Sequence, residues 1–265
     1  MEKLISSLNA KEIYFQDKNF NLVLGDSFNI LPRLPERVVD MIFADPPYFL
    51  SNGGITCSSG KMVCVNKGEW DKANGIDFVH EFNKTWLSEC QRILKPNGTI
   101  WISGTMHNIF SVGLAIQELE YKILNNITWF KPNAAPNLSC RYFTHSTENI
   151  IWAAKDKKSK HLFNYENMKE ENEGKQMRDV WNITTPKKSE KKHGKFPAQK
   201  PLELLRRIIK ASTNEGDVIL DPFNGSGTTG IAALELNRNY IGIDNEVAYL
   251  ELSQKRYRDS VPFII

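Results

Sequence analysis

Apolar and polar residues alternate along this chain with the periods of strands and of helices in turn. Short apolar runs predict strands, and longer segments with apolar positions three or four residues apart predict amphipathic helices. The predicted strands lie near residues 21–25, 38–44, 99–103, 124–130, 149–154, 217–221 and 239–243. The predicted helices lie near residues 80–95, 107–119, 200–213, 227–237 and 246–257. This alternation is typical of an α/β domain.

A chemically informative segment follows the predicted strand of residues 38–44. Asp45-Pro46-Pro47-Tyr48 comes directly after it, and the prolines stop the strand because proline has no N–H to donate. Open α/β sheets bind ligands beyond the carboxyl ends of their strands, so these four residues are candidates for chemistry on an exocyclic amine. The alternative is an ordinary Asp-Pro-Pro turn followed by a surface tyrosine.

A glycine-rich turn from Asp221 to Gly230 joins a predicted strand to a predicted helix. Its glycines let the backbone approach a ligand, and the hydroxyls of Ser226 and Thr228 can cap the helix or contact that ligand. A Walker loop is excluded because Gly-Lys-Ser/Thr is absent, and the glycine spacing alone is a weak dinucleotide signal. The next strand ends at Asp244, where a carboxylate can accept hydrogen bonds from ribose. A nucleoside ligand is predicted, with a purely structural βαβ unit as the alternative.

Together these segments resemble the DNA amino-methyltransferases that use S-adenosylmethionine, in the beta group, where the catalytic motif precedes the cofactor motif. The resemblance covers nearly the whole chain and implies one catalytic domain over residues 1–265. It implies a Rossmann-like class I methyltransferase fold with a mostly parallel seven-stranded sheet, helices on both faces and a circularly permuted motif order. It also implies a homodimer.

The same resemblance assigns roles residue by residue. The implied catalytic residues are Asp45, Pro46, Pro47 and Tyr48. The implied cofactor-binding residues are Asp26, Lys200, Pro201, Asp221, Phe223, Gly225, Ser226, Gly227, Thr228 and Asp244. A solvated surface charge is the alternative for the lysine in this set. A later family segment is matched less specifically by Arg141, His145 and Glu148.

Two departures from the family pattern leave parts of the assignment open. Phe196 and Ala198 stand where relatives often carry His and Thr, and Asp244 stands where many carry Glu. In contrast, residues 49–54, Phe-Leu-Ser-Asn-Gly-Gly, resemble most closely the adenine-N6 enzymes of restriction-modification systems. A cognate restriction endonuclease is therefore a candidate partner, in addition to DNA.

The proposed chemistry requires an amine whose lone pair is delocalised into a ring to become a nucleophile. Asp45 can accept one N–H and the carbonyl of Pro46 the other, which makes the nitrogen more tetrahedral as charge develops. Tyr48 is expected to stack on the base, which must leave the duplex to be reached. No metal is needed. The alternatives are a cytosine-N4 methyltransferase, whose relatives more often have Ser at position 45, and a catalytically silent DNA-binding regulator.

Cysteine usage argues against cytosine-C5 chemistry and against a zinc site. None of Cys57, Cys64, Cys90 and Cys140 follows a proline, and they form no Cys-x-x-Cys pair. Their scatter, without a signal peptide, indicates reduced thiols in a cytoplasmic protein. The 265 residues are 41% hydrophobic and contain no apolar stretch of the roughly 20 residues that cross a bilayer.

Positive charge is concentrated in one segment. The net charge is +3, yet residues 155–200 hold 13 Lys and Arg against 7 Asp and Glu. We expect residues 155–199 to form a basic insertion that recognises the DNA target, with ordinary solvated surface as the alternative. The candidate DNA-binding residues are Arg141, Lys187, Lys188, Lys191, Lys192 and Lys195. Residues 50–75 are expected to form a long loop that closes over the flipped base, with disorder in the free enzyme as the alternative.

Overall fold

A computed structural model describes residues 1–49, 75–194 and 196–260, and the backbone of residues 55–58 and 61–64. The strands are β1 (Ile13–Asp17), β2 (Phe20–Leu24), β3 (Val39–Ala44), β4 (Ile55–Ser58), β5 (Lys61–Cys64), β6 (Leu94–Gly104), β7 (Lys122–Phe130), β8 (Thr147–Ala154), β9 (Val180–Asn182), β10 (Val218–Asp221) and β11 (Asn239–Asp244). The helices are α1 (Glu2–Ile5), α2 (Ser27–Ile30), α3 (Ile76–Ile93), α4 (Ile109–Glu118), α5 (Tyr165–Glu171), α6 (Leu202–Ser212), α7 (Thr228–Glu235) and α8 (Val247–Ser260).

Nine of these strands form one sheet in the order β1-β2-β11-β10-β3-β6-β8-β7-β9, and β4 and β5 form a separate hairpin. Five neighbouring strands are mutually parallel, namely β2, β11, β10, β3 and β6. The next strand, β8, is antiparallel to both of its neighbours. The predicted α/β class with a mostly parallel sheet is confirmed.

The predicted number of seven strands is wrong, because β1 and β9 extend the sheet at its two edges. Each lacks the pattern that identified the other strands. β1 is an edge strand whose residues are only partly buried or exposed, and β9 contains three residues. Edge strands need bury neither face fully, so their sequences carry a weaker apolar signal.

Alternating residues of the central strands supply two cores, one on each face of the sheet. In β3, Met41 and Phe43 face the core that α6 and α7 cover, and Ile42 faces the core that α3 and α4 cover. The helix α6 fits its side because Leu204, Leu205, Ile208 and Ile209 are all fully buried. Helices therefore lie on both faces, as expected for a parallel sheet.

The parallel arrangement brings the carboxyl ends of β2, β11, β10, β3, β6 and β7 to one edge, which we call the carboxyl edge. The residues that follow these strands include Asp26, Asp45 and Pro222. The strand order thus gathers segments that are almost 200 positions apart in sequence. This is the edge at which ligands bind in open α/β sheets.

Residues 155–199 are built into the fold along most of their length. Met168 of α5 and Trp181 of β9 are buried in the core under α6. Lys155 donates to the carbonyl of Leu94 at the amino end of β6, so the first part of the segment lies at the edge opposite the carboxyl edge. Residues 183–194 return to the carboxyl edge after β9, which is parallel to β7. None of the described helices is long and apolar enough to cross a membrane.

Candidate active site

Asp45 lies just beyond the carboxyl end of β3, and both of its carboxylate oxygens accept hydrogen bonds from the protein. The hydroxyl of Tyr48 donates to Oδ1 at a distance of 2.5 Å. The ammonium of Lys200 donates to Oδ2 at the same distance. The Asp-Pro-Pro-Tyr segment is therefore part of a polar cluster and not an ordinary surface turn, since Tyr48 is only 5% exposed.

Lys200 is buried and connects Asp45 to a second carboxylate. Its Nζ lies 3.5 Å from Oε2 of Glu148, and Glu148 also pairs with Lys131 at 3.0 Å. Two carboxylates and two ammonium groups thus alternate in a chain that starts at Asp45. Burial opposes the charge on Lys200, but the ion pairs with Asp45 and Glu148 outweigh it and raise its pKa.

The same balance holds for Glu148. Burial favours its neutral form, yet the charges of Lys200 and Lys131 outweigh burial and lower its pKa. The hydroxyl of Tyr48 also approaches Glu148 at 3.5 Å and Ser103 at 3.2 Å. Opposite charges at such short distances inside a protein keep both partners ionised. Glu148 therefore belongs to the site, although the sequence matched it to the family only loosely.

A cavity of about 260 Å³ opens beside Asp45 at the carboxyl edge. Eight of the ten predicted cofactor-binding residues line it: Asp26, Lys200, Asp221, Phe223, Gly225, Ser226, Thr228 and Asp244. Pro201 and Gly227 do not line it. Pro201 is the N-cap residue of α6, and Gly227 is the N-cap residue of α7 with a φ of 71°.

The glycine-rich turn is held in shape by the two carboxylates at its sides. Asp221 accepts hydrogen bonds from the amide of Phe223 at 3.0 Å and the hydroxyl of Thr229 at 2.6 Å. Asp244 accepts from the amide of Gly225 at 2.7 Å. The turn and the strand β11 are therefore fixed to each other, and the backbone of the turn borders the cavity.

Gly225 occupies a position that no other residue fits easily. Its φ is +50°, and a Cβ atom there would lie 2.8 Å from Cζ of Phe196. The left-handed region disfavours side chains, and the aromatic ring leaves no room for one. The ring of Phe196 also contacts that of Tyr249 edge to face, with centroids 4.8 Å apart. Both rings line the cavity.

Burial shifts the titration of the two structural carboxylates. It raises the pKa of Asp221 to about 7, although the hydrogen bonds from Thr229 and the Phe223 amide act in the opposite direction. It raises the pKa of Asp244 to about 6, against the hydrogen bonds from backbone amides. Both carboxyl groups are largely removed from water, so hydration stabilises their ionised forms less than it would in solution.

The polar lining of the cavity offers hydrogen-bond acceptors that suit a nucleoside. Asp26, the N-cap residue of α2, uses one oxygen to accept from the amide of Phe28. Gln199 lines the cavity, and its buried side-chain oxygen has no hydrogen-bond partner among the described residues. Carboxylates suit hydroxyl and amine donors, and an unpaired buried acceptor needs a donor from a ligand or water. No cluster of three potential metal ligands occurs in the described part of the chain.

Several aromatic lining residues could not be identified from the sequence. Phe28, Phe82, Phe196 and Tyr249 border the cavity beside the predicted polar residues. In the sequence, Phe196 is distinguished only as a departure from the family motif, and the others resemble ordinary core positions of helices. The signal that could identify them is spatial, because they come from four separate segments.

The predicted DNA-binding residues that the structure describes lie near the carboxyl edge but outside the cavity. Arg141 is exposed on the loop between β7 and β8, and Lys187, Lys188 and Lys192 are exposed after β9. Lys191 is half-buried, and Lys195 lies outside the described residues. Lys192 forms an ion pair with Asp259, so its charge is already balanced. The predicted lid of residues 50–75 also lies almost entirely outside the described side chains.

The two exposed segments are joined to each other. The side-chain amide of Asn133 donates to the hydroxyl of Thr185, and the amide of Thr185 donates back to the side chain of Asn133, both at 3.0 Å. The loop after β7 and the segment after β9 are therefore connected at the carboxyl edge.

Comparison with known proteins agrees with this geometry. The family model described as DNA methylase matches residues 39–255. The chain belongs to this DNA methylase family. It is 59% identical over 244 residues to the type II methyltransferase M2.LlaDCHI of Lactococcus lactis subsp. cremoris, covering 92% of this chain and 91% of that protein. It is 58% identical over 244 residues to the type II methyltransferase M2.DpnII of Streptococcus pneumoniae, with the same coverage.

Among solved structures, the complex of M1.HpyAVI with SAM is similar to this DNA methylase. The TM-score is 0.66 at 28% sequence identity, covering 89% of this chain and 98% of that one. The predicted family and the class I methyltransferase fold are confirmed. The predicted DNA methyltransferase activity is confirmed as well, whereas the roles of single residues remain predictions.

Proposed function

We propose that this DNA methylase transfers a methyl group from S-adenosylmethionine to the N6 amine of an adenine flipped out of a specific DNA sequence. The observation that carries the proposal is the position of Asp45, which follows the end of β3 and lines the cavity that the predicted cofactor-binding residues also line. The reaction takes place directly between amine and methyl donor, and we place it in the cytoplasm.

Asp45 and the carbonyl of Pro46 accept the two N–H groups of the adenine amine. Both acceptors gain hydrogen-bond strength as the nitrogen becomes positive, so they stabilise the transition state more than the bound substrate. Tyr48 positions the base. Lys200 and Glu148 keep the carboxylate in place, since Lys200 contacts its Oδ2 atom.

The cofactor-binding set holds S-adenosylmethionine, which supplies an electrophilic methyl group on a sulfonium sulfur. Asp244 suits the ribose hydroxyls, and Asp26 suits the amine of the adenine ring. The aromatic rings that line the cavity supply apolar contacts for a purine. Pro201 and Gly227 act indirectly, because each starts a helix whose first turn borders the cavity.

DNA binds across the carboxyl edge. Contacts to its phosphates are assigned to Arg141, Lys187, Lys188, Lys191, Lys192 and Lys195. Two further partners belong to the proposal. A second copy of this chain is the expected oligomeric partner, and a restriction endonuclease that cuts the same sequence is the expected functional one. The type II classification of the relatives supports the second partner.

The decisive experiment expresses the chain in a host that lacks DNA methylation and analyses digested genomic DNA by nucleoside mass spectrometry. The Asp45→Ala variant serves as the control. N6-methyladenine that disappears in the variant supports the reaction, the base and the catalytic residue together. N4-methylcytosine would overturn the choice of base, and methylation that survives in the variant would overturn the role of Asp45.

A further inference from the structure

The loop between β7 and β8, residues 131–146, leaves the sheet at the carboxyl edge and is anchored at the active site. Its ends are joined by a 2.7 Å hydrogen bond from the amide of Lys131 to the carbonyl of Ser146. The side chain of Lys131 pairs with Glu148, which in turn pairs with Lys200. The base of the loop is thus connected through charged contacts to Asp45.

The far part of this loop presents an aromatic side chain to solvent. Phe143 is 97% exposed, and its neighbour Tyr142 is 59% exposed. The loop is ordered by its own contacts, because the side chain of Asn137 donates to the carbonyl of Tyr142 at 2.6 Å. The rings of Tyr142 and His145 also pack together, with centroids 5.3 Å apart. The loop is therefore stabilised by internal contacts while the ring of Phe143 is exposed to solvent.

The charges around this ring identify the kind of partner that covers it. The loop carries Arg141 and His145 beside the ring and no acidic residue, while Lys131 at its base is paired with Glu148. It is joined through Asn133 and Thr185 to the segment that carries the exposed lysines. The positive and polar groups suit a polyanionic partner, and the exposed ring of Phe143 suits a partner that also offers apolar surfaces. Duplex DNA meets both conditions, since phosphates enclose the faces of stacked bases.

When an adenine is flipped out of the duplex to be methylated, it leaves a space that such a ring can fill. Flipping costs a few kcal/mol of unstacking and leaves a gap in the duplex. Apolar side chains are known to enter base steps from protein loops. We propose that Phe143 enters the duplex at the position that the target adenine leaves and stacks on the adjacent bases, which stabilises the flipped state. This role rests on the proposed function, and it makes Phe143 a positioning residue.

The test compares Phe143→Ala with the unaltered chain on two DNAs of the same sequence. One is a fully paired duplex, and the other has the target adenine and its neighbours unpaired in a short bubble. On the paired duplex we expect kcat/KM to fall at least ten-fold. On the bubble we expect less than a two-fold change, because no stacked gap must be filled there.

A second readout reports flipping itself. With 2-aminopurine at the target position, the fluorescence increase on binding is expected to be smaller for Phe143→Ala than for the unaltered chain. Phe143→Trp keeps a stacking ring and should retain most of the activity. Ile123→Ala is the matched control, since Ile123 is a 43% exposed apolar residue at the other end of β7.

The outcomes separate this inference from the proposed function. Equal losses on the two DNAs, or no loss on the paired duplex, would overturn the role of Phe143 while leaving adenine methylation in place. Absence of N6-methyladenine with the unaltered chain on both DNAs would overturn the proposed function and this role with it.

Discussion

Nζ of Lys200 lies 2.5 Å from Oδ2 of Asp45, in a cluster where the lysine side chain is only 5% exposed. The sequence left open whether this lysine is a solvated surface charge, and its burial excludes that alternative. An isolated ammonium would be costly in such a place, so its carboxylate partners are needed to hold it. The contact fixes Oδ2 of Asp45, and Oδ1 accepts the hydrogen bond from Tyr48.

The first prediction concerns this contact. Lys200→Met leaves Asp45 and Glu148 close together without their shared cation, so we expect it to destabilise the fold by about 3 kcal/mol. We expect kcat to fall at least 100-fold, because the carboxylate loses its orientation. Denaturant unfolding measures the first effect and single-turnover methylation the second.

A double-mutant cycle separates charge balance from positioning. Glu148→Gln combined with Lys200→Met removes one negative charge with the positive one and should recover part of the lost stability. It should not recover kcat, since nothing then holds Oδ2 of Asp45. A double variant with near-normal kcat would show that Lys200 acts only through the net charge of the cluster.

Much of the fold and the polar part of the site could be predicted from the sequence because they depend on local patterns. Asp45 follows a strand that is apolar except at Asp40, Asp221 ends a short apolar strand, and the glycine-rich turn has a distinctive composition. The chain of charges through Glu148 could not be derived in the same way. It depends on β8 being antiparallel to β6 and β7, which brings the amino end of β8 to the carboxyl edge.

One edge strand and the aromatic lining of the cavity also could not be predicted from local sequence patterns. β9 is held by pairing with β7 and by the burial of Trp181, not by a pattern of its own three residues. Phe196 lies against Gly225 because the segment before α6 and the turn before α7 meet there in space. Such contacts join distant segments, and no periodicity within one segment encodes them.

The second prediction concerns the glycine-rich turn. Gly225→Ala adds both a strained φ and a collision with the ring of Phe196, so the turn must shift where it borders the cavity. We expect the affinity for S-adenosylmethionine to fall at least ten-fold in isothermal titration calorimetry. Gly216→Ala is the matched control, because its φ of +80° carries a similar strain with no atom within 4 Å of the added Cβ.

The control should lose about 1 kcal/mol of stability and keep its cofactor affinity within two-fold. If both variants bind S-adenosylmethionine as tightly as the unaltered chain does, the turn is not the cofactor contact that we assign.

The third prediction is a pH dependence of stability. The pKa of Asp221 is about 7 in the folded chain, whereas its ordinary value is 3.8. Between pH 3.8 and about 7, Asp221 is therefore protonated in the folded state and ionised in the unfolded state. Stability contributed by the protonated form is therefore lost as pH rises from about 4 to about 7. At about 1.36 kcal/mol per pKa unit, the loss amounts to roughly 4 kcal/mol.

Asp221→Asn cannot titrate, so its unfolding free energy should lack the part of the decline that Asp221 contributes when denaturant unfolding is measured across the same pH range. The smaller decline from Asp244, whose pKa is about 6, should remain. Thr229→Val removes a hydrogen bond that lowers the pKa of Asp221, so it should extend the decline to higher pH. Parallel pH curves for the unaltered chain and Asp221→Asn would contradict the assignment.

The fourth prediction concerns DNA binding by the segment after β9. Each phosphate contact contributes about 0.9 to the slope of log Kobs against log salt concentration. Replacing Lys187, Lys188 and Lys191 together by Gln should therefore lower the slope by about 2 to 3. Lys192→Gln should change it less, because Asp259 already balances that charge. Fluorescence anisotropy with labelled duplex over a salt series measures these slopes.

Lysines at the opposite edge of the sheet provide the matched control for this comparison. Lys158 and Lys160 are exposed and belong to the same basic segment of the sequence, but they follow β8 at the edge away from Asp45. Because each of these two lysines carries the same charge as a lysine after β9 but lies at a different place, replacing both by Gln should leave the slope unchanged. Equal reductions per lysine from the two sets of variants would mean that DNA responds to the overall charge of the protein, and the binding surface would then not be confined to the carboxyl edge.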